Sequence, residues 1–159
     1  MNALILASES AMAKIHGRPV LSHILDRVDG LVDSCYVAVD NKFSMDFKEL
    51  YGSRVDIIED RGFIDNLRFV RRDTGLFVID GGNYFDFDLN EMVELYKKKR
   101  EGTVVALYDV GSREKAKGFS VPIFKRNKYL VVGMIEKPLA PENSWVDCSI
   151  YLLSKFYFI

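Results

Sequence analysis

Apolar residues alternate along this chain between two patterns. Short continuous runs, Ala3-Leu4-Ile5-Leu6-Ala7, Cys35-Tyr36-Val37-Ala38-Val39, Val55-Asp56-Ile57-Ile58 and Leu76-Phe77-Val78-Ile79, have the length and composition of strands buried on both faces. Between them the spacing turns helical. Val20, Leu21, Ile24, Leu25 and Val28 form one stripe behind Pro19, which suits the first turn of a helix. Phe47, Leu50 and Tyr51 predict a short second helix, and Ile64, Leu67, Phe69 and Val70 a third. Asp88 and Glu91 read as a capping box before a helix with Leu89, Met92, Val93 and Tyr96 on its inner face. Strand and helix thus alternate, the pattern of a parallel sheet flanked by helices. Beyond Gly102 the alternation stops. Thr103–Val110, Phe119–Phe124, Tyr129–Ile135 and Cys148–Leu153 predict strands without intervening helices, with Lys125-Arg126-Asn127-Lys128 as a hairpin turn. The fold class expected is α/β, a mostly parallel mixed sheet with helices on both faces.

Length and composition narrow this picture. At 159 residues the chain is expected to form a single domain, 1–159, on a prior of roughly 150 residues per domain. A chain of this size buries about 70% of its unfolded surface and needs no disulfide or metal to fold. Its net charge of -1 argues against a nucleic-acid partner, which would call for an excess of Lys and Arg. The densest basic run, Lys97-Lys98-Lys99-Arg100, ends a predicted helix, where cations complement the dipole. Cys35 and Cys148 both fall in strand-like runs and read as buried free thiols of a reducing compartment. No leader or membrane span is read from the sequence, so a cytoplasmic location is expected.

Candidate chemistry gathers where the run Leu76–Ile79 ends in Asp80-Gly81-Gly82-Asn83. Open α/β sheets bind ligands at the carboxyl ends of their strands. Asp80 is either a turn carboxylate or a magnesium ligand. Asp86-Phe87-Asp88 has the form of the D-x-D of metal-dependent glycosyltransferases, although capping already accounts for Asp88. His16 and His23 have no carboxylate or cysteine at ligand spacing and read as structural or solvent-facing. No Ser-His-Asp or Cys-His constellation stands out.

Five segments, taken in order, resemble the nucleotidyltransferase family that couples sugar phosphates to nucleoside triphosphates, whose relatives build molybdenum-cofactor and cobinamide nucleotides. Asn2–Ala7 resembles the family's first strand. Lys14 and Gly17-Arg18-Pro19-Val20-Leu21 resemble the stretch with the phosphate-binding lysine and its G-K-P-L-I continuation. Gly62 before Leu67 is similar to the glycine-led helix start beside the nucleotide base. Ile79–Asn83 and Phe85–Leu89 resemble the central strand, metal loop and helix cap. Glu136-Lys137-Pro138 and Ser149-Ile150-Tyr151 resemble the late E-K-P and G-I-Y segments.

The resemblance implies a Rossmann-like three-layer domain of the nucleotide-diphospho-sugar transferase type. It implies Lys14 and Lys137 as catalytic residues, with Ala7, Ser8, Glu9, Ser10, Gly62, Gly81 and Gly82 around the nucleotide. Glu136, Lys137 and Tyr151 would meet the acceptor, and Asp80 would be the candidate for Mg2+. The partners implied are a nucleoside triphosphate and a phosphorylated small molecule. Such transfer attacks the α-phosphorus and expels pyrophosphate, so positioning and charge neutralisation dominate its catalysis.

This sequence also departs from the family pattern. The G-G-x-G-T-R loop is replaced by Ser8-Glu9-Ser10-Ala11-Met12, without its glycines and arginine. The glycine–aspartate metal pair aligns with Gly81-Gly82, leaving Asp80 one residue early and, by strand alternation, expected on the other side. The family's second metal carboxylate is expected beyond Tyr151. Two functions therefore follow: an active nucleotidyltransferase, or a diverged relative of weak or no activity that binds a nucleotide, a nucleotide-sugar or a protein. The aromatic tail Phe156-Tyr157-Phe158-Ile159 is expected to pack on the domain or on a second subunit, the latter making a homo-oligomer.

Overall fold

The computed structural model describes residues 1–70, 75–99, 102–125 and 130–154. Strand β1 (Asn2–Ala7) is followed by a 3-10 turn (Glu9–Met12) and a small hairpin, β2 (Lys14–Ile15) and β3 (Arg18–Pro19). The sequence reads Ser8–Gly17 as a polar loop. Strands of two residues carry no periodicity, and His16 and Gly17, both at positive φ, make the tight turn between them. Helix α1 (Val20–Val28) then buries Val20, Leu21, Ile24, Leu25 and Val28, the predicted stripe. Pro19 stands at the N-cap, one position ahead of the first turn.

Next come β4 (Ser34–Val39), α2 (Ser44–Tyr51), β5 (Asp56–Glu59), α3 (Phe63–Phe69), β6 (Leu76–Asp80) and α4 (Leu89–Lys99). Leu50 is exposed although Phe47 and Tyr51 are buried, so the inner face of α2 is narrower than its apolar content suggests. In the third helix Ile64 and Phe69 also face outward, while polar Asn66 is buried beside Leu67. Phe69 lies edge-on to Tyr36, with ring centroids 6.4 Å apart. Asp88 caps α4 by accepting from the Asn90 backbone N–H at 2.9 Å.

The chain contacts divide into two units, Met1–Val104 with Ser149–Ile159, and Val105–Cys148. In the first, strands lie in the order β5, β4, β1, β6 and then β10 (Trp145–Leu153), whose residues from Ser149 onward belong here. The β4, β5 and β6 pairings are parallel, and β10 runs antiparallel to β6. Leu67 and Val70 pack with Leu4, Ala38, Leu76 and Val78 on one face. Ile5, Val37, Phe77 and Ile79, buried as well, alternate onto the other. The result is an α/β fold around a mostly parallel mixed sheet.

The second unit holds β7 (Val104–Asp109) from Val105 onward, α5 (Arg113–Ala116), β8 (Ser120–Phe124) and β9 (Val131–Glu136), with β8 and β9 antiparallel. Its core joins Ala116, Val121 and Val146, with Val110 against them. Helix α5 corrects the expectation of strands alone. One turn is too short for a periodic signal, and Ser112 caps it by accepting from the Lys115 N–H. Of the predicted hairpin turn, residues 126–128 lie outside the described residues, as do Arg100, Tyr129 and the aromatic tail 156–159. Among the described residues no helix is long and apolar enough to cross a membrane.

Candidate functional site

The parallel strands β1 and β6 end side by side, with the antiparallel β10 running past them, and register decides what they present. Leu6 of β1 stands opposite Asp80 of β6, and Tyr151 of β10 opposite Val78. These four side chains share one face of the sheet. Together with Ala7, Ser8, Asp60, Phe63 and Ser149 they line an open cavity of about 410 Å³. Asp80 therefore turns toward the cavity, on the face that α3 covers. An added Cβ at Gly82 would lie 3.4 Å from its Oδ1, so Asp80 stands beside position 82, two residues on, and not on the other side as expected. Its Oδ1 accepts from the Gly82 N–H at 2.9 Å.

Close packing shapes the loops around the cavity. A Cβ on Gly81 would meet the Leu6 carbonyl oxygen at 3.0 Å and the Ala7 Cα at 3.1 Å, so the β6 loop lies directly against the end of β1. On the β1 side Ser8 and Ser10 share a hydroxyl hydrogen bond of 2.7 Å. The stretch after Gly82 is held by Arg27, which donates to the Phe87 carbonyl at 3.2 Å and lies over the Phe85 ring.

Gly62, at φ 89°, opens α3 between the cavity residues Asp60 and Phe63. The Asp60 Oδ1 accepts from the Gly62 N–H at 2.9 Å and from the Asn66 amide at 2.7 Å, which fixes its carboxylate. Asp60 and Phe63 escaped the sequence reading. The signal that could have found them was their position beside Gly62.

Lys14 is exposed on β2 and makes no ion pair that the described residues show. Its hairpin is well anchored. Val20 N–H donates to Ala13, the His23 ring bonds the Ile15 carbonyl at 2.8 Å, and Arg18 reaches Asp26 at 2.6 Å. The Arg18 hydrogen bond, with Arg54 adding a second, holds the Asp26 carboxyl below its ordinary range. His23 thus has a structural role, reinforced by edge-on contact with Tyr84.

Ala7, Ser8, Asp80 and Tyr151 are therefore brought together at one cavity, with Gly62, Gly81 and Gly82 in its bounding loops. Glu9 and Ser10 begin the 3-10 turn beside it. Glu136 and Lys137 belong to the second unit, at the end of β9. There Glu136 accepts from the Ser120 hydroxyl at 3.0 Å and lies 3.7 Å from the Lys137 ammonium. Both are exposed, so this ion pair adds little to stability.

Among the described residues no three His, Cys, Asp or Glu side chains converge on a metal position. One carboxylate at a strand end still fits Mg2+ that is shared with a ligand, because this ion commonly takes one or two carboxylates together with substrate phosphates.

The profile of the family described as Nucleotidyl transferase matches residues 61–159. The Bifunctional protein GlmU of Methanocaldococcus jannaschii is 25% identical over 161 residues, covering 92% of this chain and 35% of that protein. The chain thus spans about a third of the length of that relative. Among solved structures, a Bacillus anthracis protein assigned as a glucose-1-phosphate thymidylyltransferase, in complex with sucrose, superposes with a TM-score of 0.82. It is 21% identical, over 99% of this chain and 72% of the other. HddC from Yersinia pseudotuberculosis gives 0.73 at 15% identity, over 99% and 78%. At such identities the two structures speak for the fold, which they share with this chain over nearly its whole length. The family profile covers more than half of the sequence, from the start of α3 through β10, and on that ground the chain belongs to the Nucleotidyl transferase family.

Proposed function

We propose that this chain is a nucleotidyltransferase that joins a nucleoside triphosphate to a sugar phosphate or a similar phosphorylated acceptor. A phosphate oxygen of the acceptor attacks the α-phosphorus, the bond to the β-phosphate oxygen breaks, and pyrophosphate leaves. The observation that carries this reading is the cavity where β1 and β6 end beside the antiparallel β10, lined by Ser8, Asp60, Phe63, Asp80 and Tyr151. Ligands of open α/β sheets bind at such a crevice. Phe63 offers a ring for a base, Asp60 a fixed carboxylate for N–H groups, and Ser8 a hydroxyl for phosphate.

Lys14 supplies positive charge for the phosphates from an anchored hairpin. Glu136 and Lys137 are the residues that the family resemblance gives to the acceptor, Glu136 for a sugar hydroxyl and Lys137 for its phosphate. Asp80 would hold Mg2+ jointly with the phosphates, and the ion would offset their negative charge. A reducing, cytoplasmic setting agrees with the free thiols.

The diverged-relative reading has its own support. Ser8-Glu9-Ser10 puts side chains where the family has glycine, and Gly82 has no carboxylate. A thermal-shift panel of the four common nucleoside triphosphates and several nucleotide-sugars, with and without Mg2+, separates the two. Saturation at 100 times the dissociation constant stabilises the native state by about 2.7 kcal/mol. The enzyme reading expects a Mg2+-dependent shift with one triphosphate, followed by pyrophosphate release with a sugar phosphate. Lys14→Ala should weaken that shift and lower turnover by about 10-fold or more, the loss of one charge-assisted contact. A flat panel, or an unaffected Lys14→Ala, would move the assignment to the binding role or away from Lys14 respectively.

A further inference from the structure

Gly82 sits so close to the loop that follows β1 that a side chain there would displace the Ser10 hydroxyl. A Cβ placed on it would lie 2.2 Å from the Ser10 Oγ, 3.0 Å from the Ser10 Cβ and 3.4 Å from the Asp80 Oδ1. The first distance is far inside van der Waals contact. Turning the Ser10 side chain would withdraw its hydroxyl, but only by giving up the 2.7 Å bond to Ser8, and the Cβ contact would remain. Nor does the loop yield freely. Ala11 and Ala13 N–H groups donate to the Ser8 and Ser10 carbonyls, each at 3.0 Å, and lock the turn. A Cβ at residue 82 therefore needs the Ser10 hydroxyl to turn away and the Ser10 Cβ to give by a few tenths of an ångström.

We infer that Ser10 and Gly82 form an interdependent pair, and that Ser10 is a positioning residue setting how many carboxylates the end of β6 can present. With Ser10 in place Asp80 stands alone, and a divalent cation is held only weakly without phosphates. Remove the Ser10 side chain and a second carboxylate fits at position 82, beside Asp80. The altered phosphate loop and the missing carboxylate at 82 are then one packing event. The inference rests on the nucleotide reading only for its ligand, since the steric coupling is independent of it.

The test compares Ser10→Gly, Gly82→Asp and the double variant, with Gly82→Ala alone and combined with Ser10→Gly as uncharged controls. Melting temperature reads the coupling, and calorimetric titration with MgCl2 alone reads the cation site. Gly82→Asp and Gly82→Ala should each melt several degrees below wild type. Adding Ser10→Gly should restore at least half of either loss, a non-additivity expected of residues in contact. The charged double variant should bind Mg2+ about 10-fold more tightly than wild type, as a second carboxylate joins the first. Additive losses, a Gly82→Ala as stable as wild type, or a charged double variant with wild-type Mg2+ affinity would overturn the inference. If no nucleoside triphosphate bound any of the proteins, the nucleotide reading would fail while melting and MgCl2 titration still judged the pair.

Discussion

Lys137 holds φ at 42°, a left-handed conformation that costs a residue with a Cβ roughly 1–2 kcal/mol. Pro138 follows it and narrows its choices further. The conformation is fixed by the Lys137 N–H, which donates to the Phe119 carbonyl at 3.1 Å. Strain of this kind persists where the surroundings over-determine it, often at functional positions. Two substitutions separate backbone from charge. Lys137→Ala and Lys137→Gly both remove the ammonium, but only glycine removes the Cβ. In urea denaturation the glycine variant should be more stable than the alanine variant by about 1 kcal/mol. Both should lose acceptor binding to the same degree. Equal stabilities would show that the left-handed backbone stores no strain. Ser149, at φ 53°, repeats the theme where the family's G-I-Y segment has glycine. The substitution could be read in the sequence, but the conformation that makes it matter could not.

The start of α3 shows how one element holds a site together. Asn66 is buried with both ends of its amide engaged. It donates to Asp60 at 2.7 Å and accepts from the Arg61 N–H at 3.1 Å. Those bonds hold the turn that brings Asp60 and Phe63 to the cavity. Asn66→Ala leaves the Arg61 N–H and one Asp60 contact unmade and should cost about 1–3 kcal/mol in chemical denaturation. Asn66→Leu fills the volume without restoring the bonds, so its failure to rescue would assign the loss to hydrogen bonding. Elements differed in how openly the sequence announced them. The strands and α1 were legible because continuous runs and a five-residue stripe follow directly from burial. In α3 the apolar Ile64 and Phe69 point outward and a polar Asn66 inward, so hydrophobicity misjudged its inner face. The hairpin that carries Lys14 and the single turn of α5 are shorter than any period. At the site, the ordered motifs led to Ser8, Asp80 and Tyr151. Asp60 was hidden because its contribution comes from a capping network rather than from residue type.

The two thiols report on the molecule as a whole. Burial, with the Asp56 carboxylate adding to it, pushes the Cys35 thiol up from 9.0 to about 12, and burial beside Asp147 pushes Cys148 up to about 11. Both are neutral near pH 7 and poor nucleophiles in the native state. The sign of the linkage follows from those shifts. Below pH 9 both folded and unfolded thiols keep their protons, and the contribution to stability is complete. Between 9 and about 12 the unfolded chain releases the Cys35 proton while the native chain retains it, so stability falls as pH rises. Cys35→Ala should flatten that fall in denaturation curves taken from pH 8 to 11; an unchanged slope would show that the thiol is not desolvated. The same cysteines mark the two units, since Cys35 lies in the first and Cys148 ends the second. Labelling with a thiol reagent across a denaturant series, using single-cysteine variants, then tests the expectation of a single domain. A cooperative domain exposes both thiols at one midpoint and with one slope. If Cys148 reacts at a distinctly lower denaturant concentration than Cys35, the second unit opens first and the chain folds as two.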